Sequence, residues 1–201
     1  MTKNPKFNNR PNDHVIYYFN PNPLLGNDVV RHDVWISRAP AVVGIIFALG
    51  LEGGVRVLVI KRSKNMREEP LKFGAPSGYL DWEETGFEGI TREIYEETSL
   101  YLPNYKDFLV FNNKEQPFYV QTDPTKDKNQ NVSLTYVMVY NFSDHQNFFP
   151  EYVEKYINKE TAKVEWLNLN DFYNIDNREW AFNHDERIKM AHKYYNKNMK
   201  W

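Results

Sequence analysis

The chain has 201 residues, of which 41% are hydrophobic, so it is long and apolar enough to form a domain with a core and is not a disordered chain. The net charge of −2 provides no broad basic surface, which argues against an extended nucleic acid as a partner. No Cys is present, which excludes disulfides, thiolate nucleophiles and Cys-ligated zinc.

The N-terminal residues lack the apolar segment of a signal peptide. The most hydrophobic run, residues 39–51, is shorter than the roughly 20 residues that a membrane-spanning helix needs. We therefore expect a cytoplasmic protein with no membrane partner.

Residues 1–35 are polar and rich in Asn and Pro, with one short strand-like stretch at 15–19. We interpret this segment as an N-terminal extension that pairs with a sheet edge or contacts a second copy of the chain, which would make a homodimer. No linker divides the remainder, so residues 36–201 are predicted to form one domain.

Two apolar runs, 41–49 and 55–62, are separated by a short Gly-rich segment, which predicts a β-hairpin whose strands are buried on both faces. Further strands are predicted at 108–113, 118–122, 132–142 and 162–169, and helical segments in two pieces after residue 169. This order predicts an α/β domain with a mixed sheet and flanking helices.

The segment 78–100 predicts the best-defined helix of the chain. Thr85 and Glu88 have the spacing of a capping box, so the helix should begin there and run to about Thr98. Helical periodicity then places a mostly apolar face against the sheet, formed by Phe87, Ile90, Thr91, Ile94 and Thr98.

A second face of this helix carries Glu93, Glu96 and Glu97. Each like-charged pair one turn apart costs about 0.2–0.5 kcal/mol. Arg92, which Glu88 could support as an ion pair, cannot neutralise all three carboxylates. The charges alone favour a solvated acidic face, whereas a bound Mg²⁺ is the alternative that would make the crowding favourable.

The spacing of the whole segment resembles the Nudix box. One specified position of the box differs, because Ser99 replaces the last glycine. All the others are matched, by Gly78, Glu84, Arg92, Glu93, Ile94, Glu96, Glu97 and Leu100. The resemblance extends over roughly residues 40–195, and it implies the Nudix fold, an α/β/α sandwich. It also implies a hydrolase that uses Mg²⁺ or Mn²⁺ to cleave a nucleoside diphosphate linked to another moiety.

The resemblance assigns metal binding to the carboxylates of Glu93, Glu96 and Glu97 and to the carbonyl of Gly78. Arg92 would orient these carboxylates.

Glu84 would stabilise the geometry between the loop and the helix. The base that activates water varies in the family, and it is either a glutamate of the box or an acid on a later loop. Of the candidates in that loop, Glu151, Glu154 and Glu160, we prefer Glu160.

Three further residues are candidates for substrate binding. Arg62 ends a strand and could reach a phosphate, Phe73 replaces a tryptophan that the family carries before the box, and Tyr119 lies near the position of a substrate-contacting aromatic residue. His184 is interpreted as a helix-surface or packing residue.

The substrate is expected to be a small nucleotide, with ADP-ribose or another nucleotide sugar preferred. The alternatives are a nucleoside triphosphate pyrophosphohydrolase and a non-catalytic module that senses a nucleotide. The acidic residues of the box, all of them present, favour catalysis.

Overall fold

A computed structural model describes residues 13–19, 30–36, 38–52, 54–126, 129–174 and 177–198. The chain divides into two units, Met1–Arg38 and Ala39–Trp201. In the first unit, strand β1 (Asp13–Phe19) pairs antiparallel with strand β2 (Val30–Ile36). The sequence predicted a strand at the position of β1 but gave no indication of β2.

The second unit is organised around one mixed sheet. Within the described residues its strands are β3 (Pro40–Leu51), β4 (Gly54–Arg62), β5 (Phe73–Gly74), β6 (Ser77–Tyr79), β7 (Leu109–Asn112), β8 (Tyr119–Gln121), β9 (Val132–Asn141) and β10 (Thr161–Asn168). The main order is β10-β4-β3-β9-β7, and β5, β6 and β8 pair with β4, β3 and β9 respectively. Strands β3 and β9 run parallel, and β3 and β4 form the predicted antiparallel hairpin.

Helices cover both faces of this sheet. They are α1 (Gly86–Thr98), α2 (Leu169–Asn174) and α3 (His184–Asn198), with short 3₁₀ helices at Leu102–Phe108, Gln146–Phe148, Glu151–Lys155 and Ala181–Asn183. Helix α1 packs on one face, and α2 and α3 pack on the other. The predicted α/β/α sandwich with a mixed sheet is therefore confirmed. No helix in the described part of the chain combines the length and the apolarity needed to cross a membrane.

Strand β3 shows why the sheet is buried on both sides. Val42, Ile46 and Ala48 point to the α1 side. Val43, Ile45 and Phe47 point to the side covered by α3. The alternation follows from the two-residue period of a strand, and each fully buried large side chain contributes about 1.5–3 kcal/mol.

The ends of α1 are closed by local hydrogen bonds. Thr85 Oγ1 accepts a bond from Glu88 N at 3.3 Å, and Glu88 Oε2 accepts one from Thr85 N at 2.8 Å, which confirms the predicted capping box. Because Glu88 is used in this way, it forms no ion pair with Arg92, in contrast to the expectation. The helix ends at Ser99, whose φ of 62° lies in the left-handed region and whose N–H donates to Tyr95 O at 2.8 Å.

Gly44 in β3 permits the close approach of α1 to the sheet. A Cβ atom at this position would lie 2.8 Å from Cγ1 of Ile90 and 3.1 Å from Cδ1 of Ile94. Both isoleucines are completely buried, so they have little room to yield.

We predict that Gly44→Ala lowers the free energy of unfolding by about 1–3 kcal/mol, because the added methyl group overpacks the interface between α1 and β3. Urea denaturation of the metal-free protein measures the effect. The matched test adds Ile90→Ala, which removes the closer of the two clashing side chains, so the double variant should be more stable than the sum of the two single effects indicates. Strict additivity of the two substitutions would contradict this explanation.

Candidate active site

A cleft of about 330 Å³ lies beside β6, between the acidic side of α1 and the beginning of α3. Five residues predicted from the sequence line this cleft: Arg62, Gly78, Glu93, Glu97 and Glu160. Strand β6 is the link between sheet and helix, because it pairs with β3 while its Ser77 N–H bonds to a side chain of α1. The fold thus brings together residues that are almost 100 positions apart in the sequence.

Glu97 is the most deeply buried carboxylate of the cleft, with 2% of its surface exposed. Its Oε2 accepts a hydrogen bond from Ser77 N at 2.8 Å. Burial raises the pKa of Glu97 to about 8, and the bond from Ser77 offsets only part of that effect. The acidic face of α1 is therefore not a solvated face, as the charge pattern alone suggested, but partly an internal one.

Glu93 lies one helical turn before Glu97 and is also buried. A Cβ atom on Gly78 would overlap its carboxylate, so the absence of a side chain at Gly78 makes room for Glu93 beside β6. Burial raises the pKa of Glu93, although the guanidinium of Arg92 opposes the shift.

Arg92 connects the loop before α1 to the acidic side of the helix. Its Nε and Nη2 donate to the two carboxylate oxygens of Glu84 at 3.1 and 2.8 Å. Nη1 donates to Glu93 at 2.8 Å and to Glu96 at 3.0 Å, and Nη2 also donates to Tyr79 O at 3.0 Å. This set of bonds raises the pKa of Arg92 and lowers that of Glu84.

Glu84 also fixes the loop, since its Oε1 accepts a hydrogen bond from Asp81 N at 2.7 Å.

Glu96 differs from the other two glutamates of the predicted metal set. Its side chain is 55% exposed, it contacts Arg92, and it does not line the cleft.

Metal binding was predicted for Glu93, Glu96 and Glu97 together, and the structure groups only two of them. The described residues contain no three His, Asp or Glu side chains already arranged around one point. The groups that do line the cleft are the carboxylates of Glu93, Glu97 and Glu160 and the main chain of Gly78. The oxygen donors of Glu93, Glu97 and Gly78 are of the kind that binds a hard divalent cation.

Glu160 reaches the cleft from the loop before β10. Its main chain is held in place because its carbonyl accepts a hydrogen bond from Ser63 N at 2.6 Å and its N–H donates to Asn158 Oδ1 at 2.8 Å. The other two candidate bases, Glu151 and Glu154, do not line the cleft. Glu154 instead accepts a hydrogen bond from Trp166 N at 2.8 Å.

Arg62 lines the same cleft as the glutamates of α1, its charge acts on Glu97, and it is 8% exposed. Its Nε and Nη2 donate to Glu68 O at 3.2 and 3.1 Å, and its guanidinium lies 5.0 Å from the centre of the Phe182 ring. These contacts fix the guanidinium, and among the described residues it makes no direct ion pair with a carboxylate.

Arg187 in α3 is a second cation of the cleft, and sequence reasoning missed it. Its Nη1 donates to Ser133 Oγ at 2.7 Å and to Thr135 Oγ1 at 2.8 Å, both on β9. The ring of Tyr119 lies 5.9 Å from the guanidinium. The one feature of the sequence that could have indicated Arg187 is its position one turn after His184 on the same helix. The side chain is directed to the cleft by the packing of α3 on β9, which the sequence does not reveal.

The remaining predicted residues lie outside or behind the cleft lining. Phe73 does not line it but packs against Trp180, with ring centres 6.4 Å apart, and below the guanidinium of Arg178 at 5.0 Å. Tyr119 reaches the cleft only through its contact with Arg187.

His184, at the start of α3, is 2% exposed and lines the cleft. Its Nδ1 accepts a hydrogen bond from Ala75 N at 3.1 Å. Burial and the nearby charges of Arg187 and Arg62 hold its pKa well below the usual value. Of the two interpretations offered from the sequence, the surface position is wrong.

Comparison with known proteins agrees with this geometry. The sequence model of the NUDIX domain matches residues 38–189. The chain belongs to the Nudix family. No curated protein sequence matches it.

Solved structures share the fold of this Nudix chain at low sequence identity. Shewanella oneidensis NrtR is 17% identical, with a TM-score of 0.57, over 80% of this chain and 65% of that one. A MutT/nudix family protein from Enterococcus faecalis is 15% identical, with a TM-score of 0.58, over 82% and 64%. The bifunctional NMN adenylyltransferase/ADP ribose pyrophosphatase of Francisella tularensis, complexed with AMP and a Mn ion, is 17% identical, with a TM-score of 0.54, over 79% and 42%. The Nudix chain therefore spans less than two thirds of the length of these three proteins.

We predict that Glu97 makes the stability of the metal-free protein depend on pH. The pKa of Glu97 is about 8 in the folded state and has the ordinary value of 4.5 in the unfolded state, so the folded state binds this proton more tightly. The stability that the proton contributes is therefore fully present below pH 4.5 and is lost as the pH rises to 8. Glu97→Gln should remove that loss, so that at pH 8.5 in EDTA it exceeds the wild type in unfolding free energy by about 2–5 kcal/mol.

The matched control is Glu96→Gln, a substitution of the exposed neighbour that should keep the pH slope of the wild type. Urea denaturation at pH 5, 7 and 8.5 gives the slopes. An identical slope for Glu97→Gln and wild type would contradict the burial of a charged Glu97.

Proposed function

We propose that this Nudix protein hydrolyses the pyrophosphate bond of a nucleoside diphosphate linked to another moiety, with Mg²⁺ or Mn²⁺ as cofactor. The observation that carries the proposal is the presence of both charges in one cleft. Two buried glutamates, Glu93 and Glu97, and two arginines, Arg62 and Arg187, line it. A pyrophosphate is attracted by the arginines and repelled by the glutamates, so it requires a cation between itself and the glutamates.

In this proposal Glu93, Glu97 and the carbonyl of Gly78 hold the cation. A divalent ion bound there neutralises charge on the phosphates and lowers the pKa of a coordinated water. Arg92 keeps Glu93 oriented and holds Glu96 on the solvent side, where Glu96 would join the ligand set only after leaving Nη1 of Arg92.

Glu160 is the proposed base that accepts the proton of the attacking water, because it lines the cleft from a separate loop. The water oxygen forms a bond to one phosphorus, the bond from that phosphorus to the bridging oxygen breaks, and the second phosphate leaves. Arg62 and Arg187 bind phosphate oxygens and stabilise the negative charge that the leaving phosphate gains.

Among substrates we propose ADP-ribose or another nucleotide sugar as the first choice. The volume of about 330 Å³ lies within the range of small-molecule sites. Two solved relatives support the choice, since one is named an ADP ribose pyrophosphatase and the NUDIX domain of NrtR was solved with ADP ribose. A nucleoside triphosphate is the second candidate, because it presents the same anionic groups.

A sensing module that binds the nucleotide without cleaving it is the alternative function. It is favoured by NrtR, which has been solved both with ADP ribose and with a 27mer DNA. Catalysis and sensing differ in one measurable respect, the release of nucleoside monophosphate.

We predict that the protein releases AMP from ADP-ribose when Mg²⁺ or Mn²⁺ is present, and that Glu97→Gln lowers kcat about 100-fold or more, because it removes a charged ligand of the cation. A panel of nucleotide sugars, dinucleotides and nucleoside triphosphates identifies the substrate. Glu115→Gln, at a loop position with an 86% exposed side chain, is the surface control and should retain full turnover. Wild-type turnover in Glu97→Gln would refute the metal assignment, and binding without cleavage at every metal concentration would favour sensing.

We predict a different effect for Glu160→Gln, which removes the proposed base but not a metal ligand. Its kcat should fall about 100-fold while the Mn²⁺ affinity, measured by titration calorimetry, stays within a factor of two of the wild type. Glu154→Gln, whose side chain can still accept from Trp166 N, is the control from the preceding 3₁₀ helix. Equal turnover in Glu160→Gln and Glu154→Gln would exclude Glu160 as the base.

A further inference from the structure

His184 occupies a position that packing alone does not explain. Two consecutive residues before it, Phe182 and Asn183, have φ values of 53° and 56°, in the left-handed region that non-glycine residues rarely adopt. Such backbone persists only where surrounding contacts enforce it, and it concentrates at binding sites. Here the two residues place the Phe182 ring 5.7 Å from the imidazole and 5.0 Å from the guanidinium of Arg62.

The hydrogen bond between His184 and Ala75 determines which ring nitrogen carries the proton. The backbone N–H of Ala75 can only donate, and it lies 3.1 Å from Nδ1 of His184. Nδ1 therefore accepts this bond with its lone pair, and in the neutral imidazole the proton must reside on Nε2. His184 consequently presents a hydrogen-bond donor at Nε2.

Within the described parts of the chain, the bond from Ala75 is the one hydrogen bond of the imidazole. The Nε2–H group therefore has no acceptor there. Nε2 is also not fully buried. In the described part of the protein the fully buried side-chain atoms without a hydrogen-bond partner are Arg56 Nε and Thr161 Oγ1, and Nε2 of His184 is not one of them. The ring is 98% buried and lines the cleft, so the accessible nitrogen faces the cleft. An unsatisfied donor in such a setting is costly unless a ligand or water satisfies it.

The surroundings select the charge of that ligand. The positive charges of Arg62 and Arg187 both act on His184, and the two arginines line the same cleft. A third cation between them would be repelled, whereas a neutral imidazole supplies a donor without adding charge. The three side chains share one complementary ligand, an anion with several acceptor oxygens.

We propose that His184 is a substrate-positioning residue that, as a neutral imidazole, donates a hydrogen bond from Nε2 to a phosphate oxygen held between Arg62 and Arg187. The identity of the anion as a phosphate rests on the proposed function. The low pKa of His184 supports the arrangement, since it keeps the ring neutral at physiological pH. The residue therefore acts by orienting the phosphate and not by transferring a proton.

Two substitutions separate the two sides of the imidazole. In His184→Asn the amide oxygen takes the place of Nδ1 and still accepts the hydrogen bond from Ala75 N. This variant lacks the donor that Nε2 provides. His184→Gln places an amide nitrogen near the Nε2 position, but it leaves Ala75 N without its acceptor. A packing role and a positioning role make opposite predictions for this pair.

The probe is inorganic pyrophosphate, which isolates phosphate recognition from contacts of the base and sugar. Its affinity is measured by titration calorimetry in EDTA and again with Mg²⁺, and the melting temperature reports stability. We expect His184→Asn to melt near the wild type and to bind pyrophosphate about 10-fold more weakly or worse, the effect of losing one hydrogen bond to a charged group. His184→Gln should melt at a lower temperature and bind with an affinity within about threefold of the wild type.

Nitrogen NMR of histidine-labelled wild-type protein provides a second readout. His184 should give the pattern of a neutral ring protonated at Nε2, and this resonance should move when pyrophosphate is added. Wild-type affinity in His184→Asn, an unmoved His184 resonance at saturation, or no pyrophosphate binding by the wild type would each overturn the proposal.

This experiment is independent of turnover. If pyrophosphate binds as expected but no nucleotide is cleaved, the positioning role stands and the hydrolase proposal fails. If nucleotides are cleaved while the His184 resonance does not respond, the reverse holds.

Discussion

One guanidinium, that of Arg92, makes the acidic segment of this chain compatible with a folded structure. It binds Glu84 with two hydrogen bonds and also reaches Glu93 and Glu96. A planar group with five donors can serve these partners at once, whereas a lysine ammonium could not reproduce the paired bonds to Glu84. The loop and the helix are thereby joined before any ligand binds.

The charge that Arg92 does not neutralise defines the cleft. Within the part of the chain that the structure describes, the N–H of Ser77 is the one hydrogen-bond partner of Glu97, and the pKa of Glu97 is raised because burial disfavours the carboxylate. Burying a carboxylate in this way is unfavourable for stability, and the cation that we propose in the cleft would offset this cost. In the same proposal Arg62 and Arg187, which also line the cleft, would bind the anion that accompanies the cation.

Local features of the fold could be predicted from the sequence because they depend on neighbouring residues. The capping box at Thr85 and Glu88 and the hairpin of β3 and β4 follow from spacing and turn composition. The placement of Glu93 and Glu97 in the cleft depends on β6, a strand of three residues with no periodicity of its own to recognise.

Of the two arginines that line the site, Arg62 was predicted from its place at the end of a strand, whereas Arg187 was not, because its position depends on a distant segment. Arg187 is directed by hydroxyl groups of Ser133 and Thr135, more than 50 positions earlier in the chain. Phe73, chosen because it replaces a tryptophan of the family, packs against Trp180 and does not line the cleft. Helical spacing grouped Glu96 with its neighbours, but the contact with Arg92 draws it to the solvent side.

The most direct test of the account is anomalous diffraction from crystals grown with Mn²⁺ and AMP. The account predicts a manganese peak bonded to the carboxylates of Glu93 and Glu97 and to the carbonyl of Gly78, with the phosphate of AMP reaching toward Arg62 and Arg187. Manganese bound only on the exterior of the protein, with Glu97 still bonded to Ser77 N alone, would contradict it.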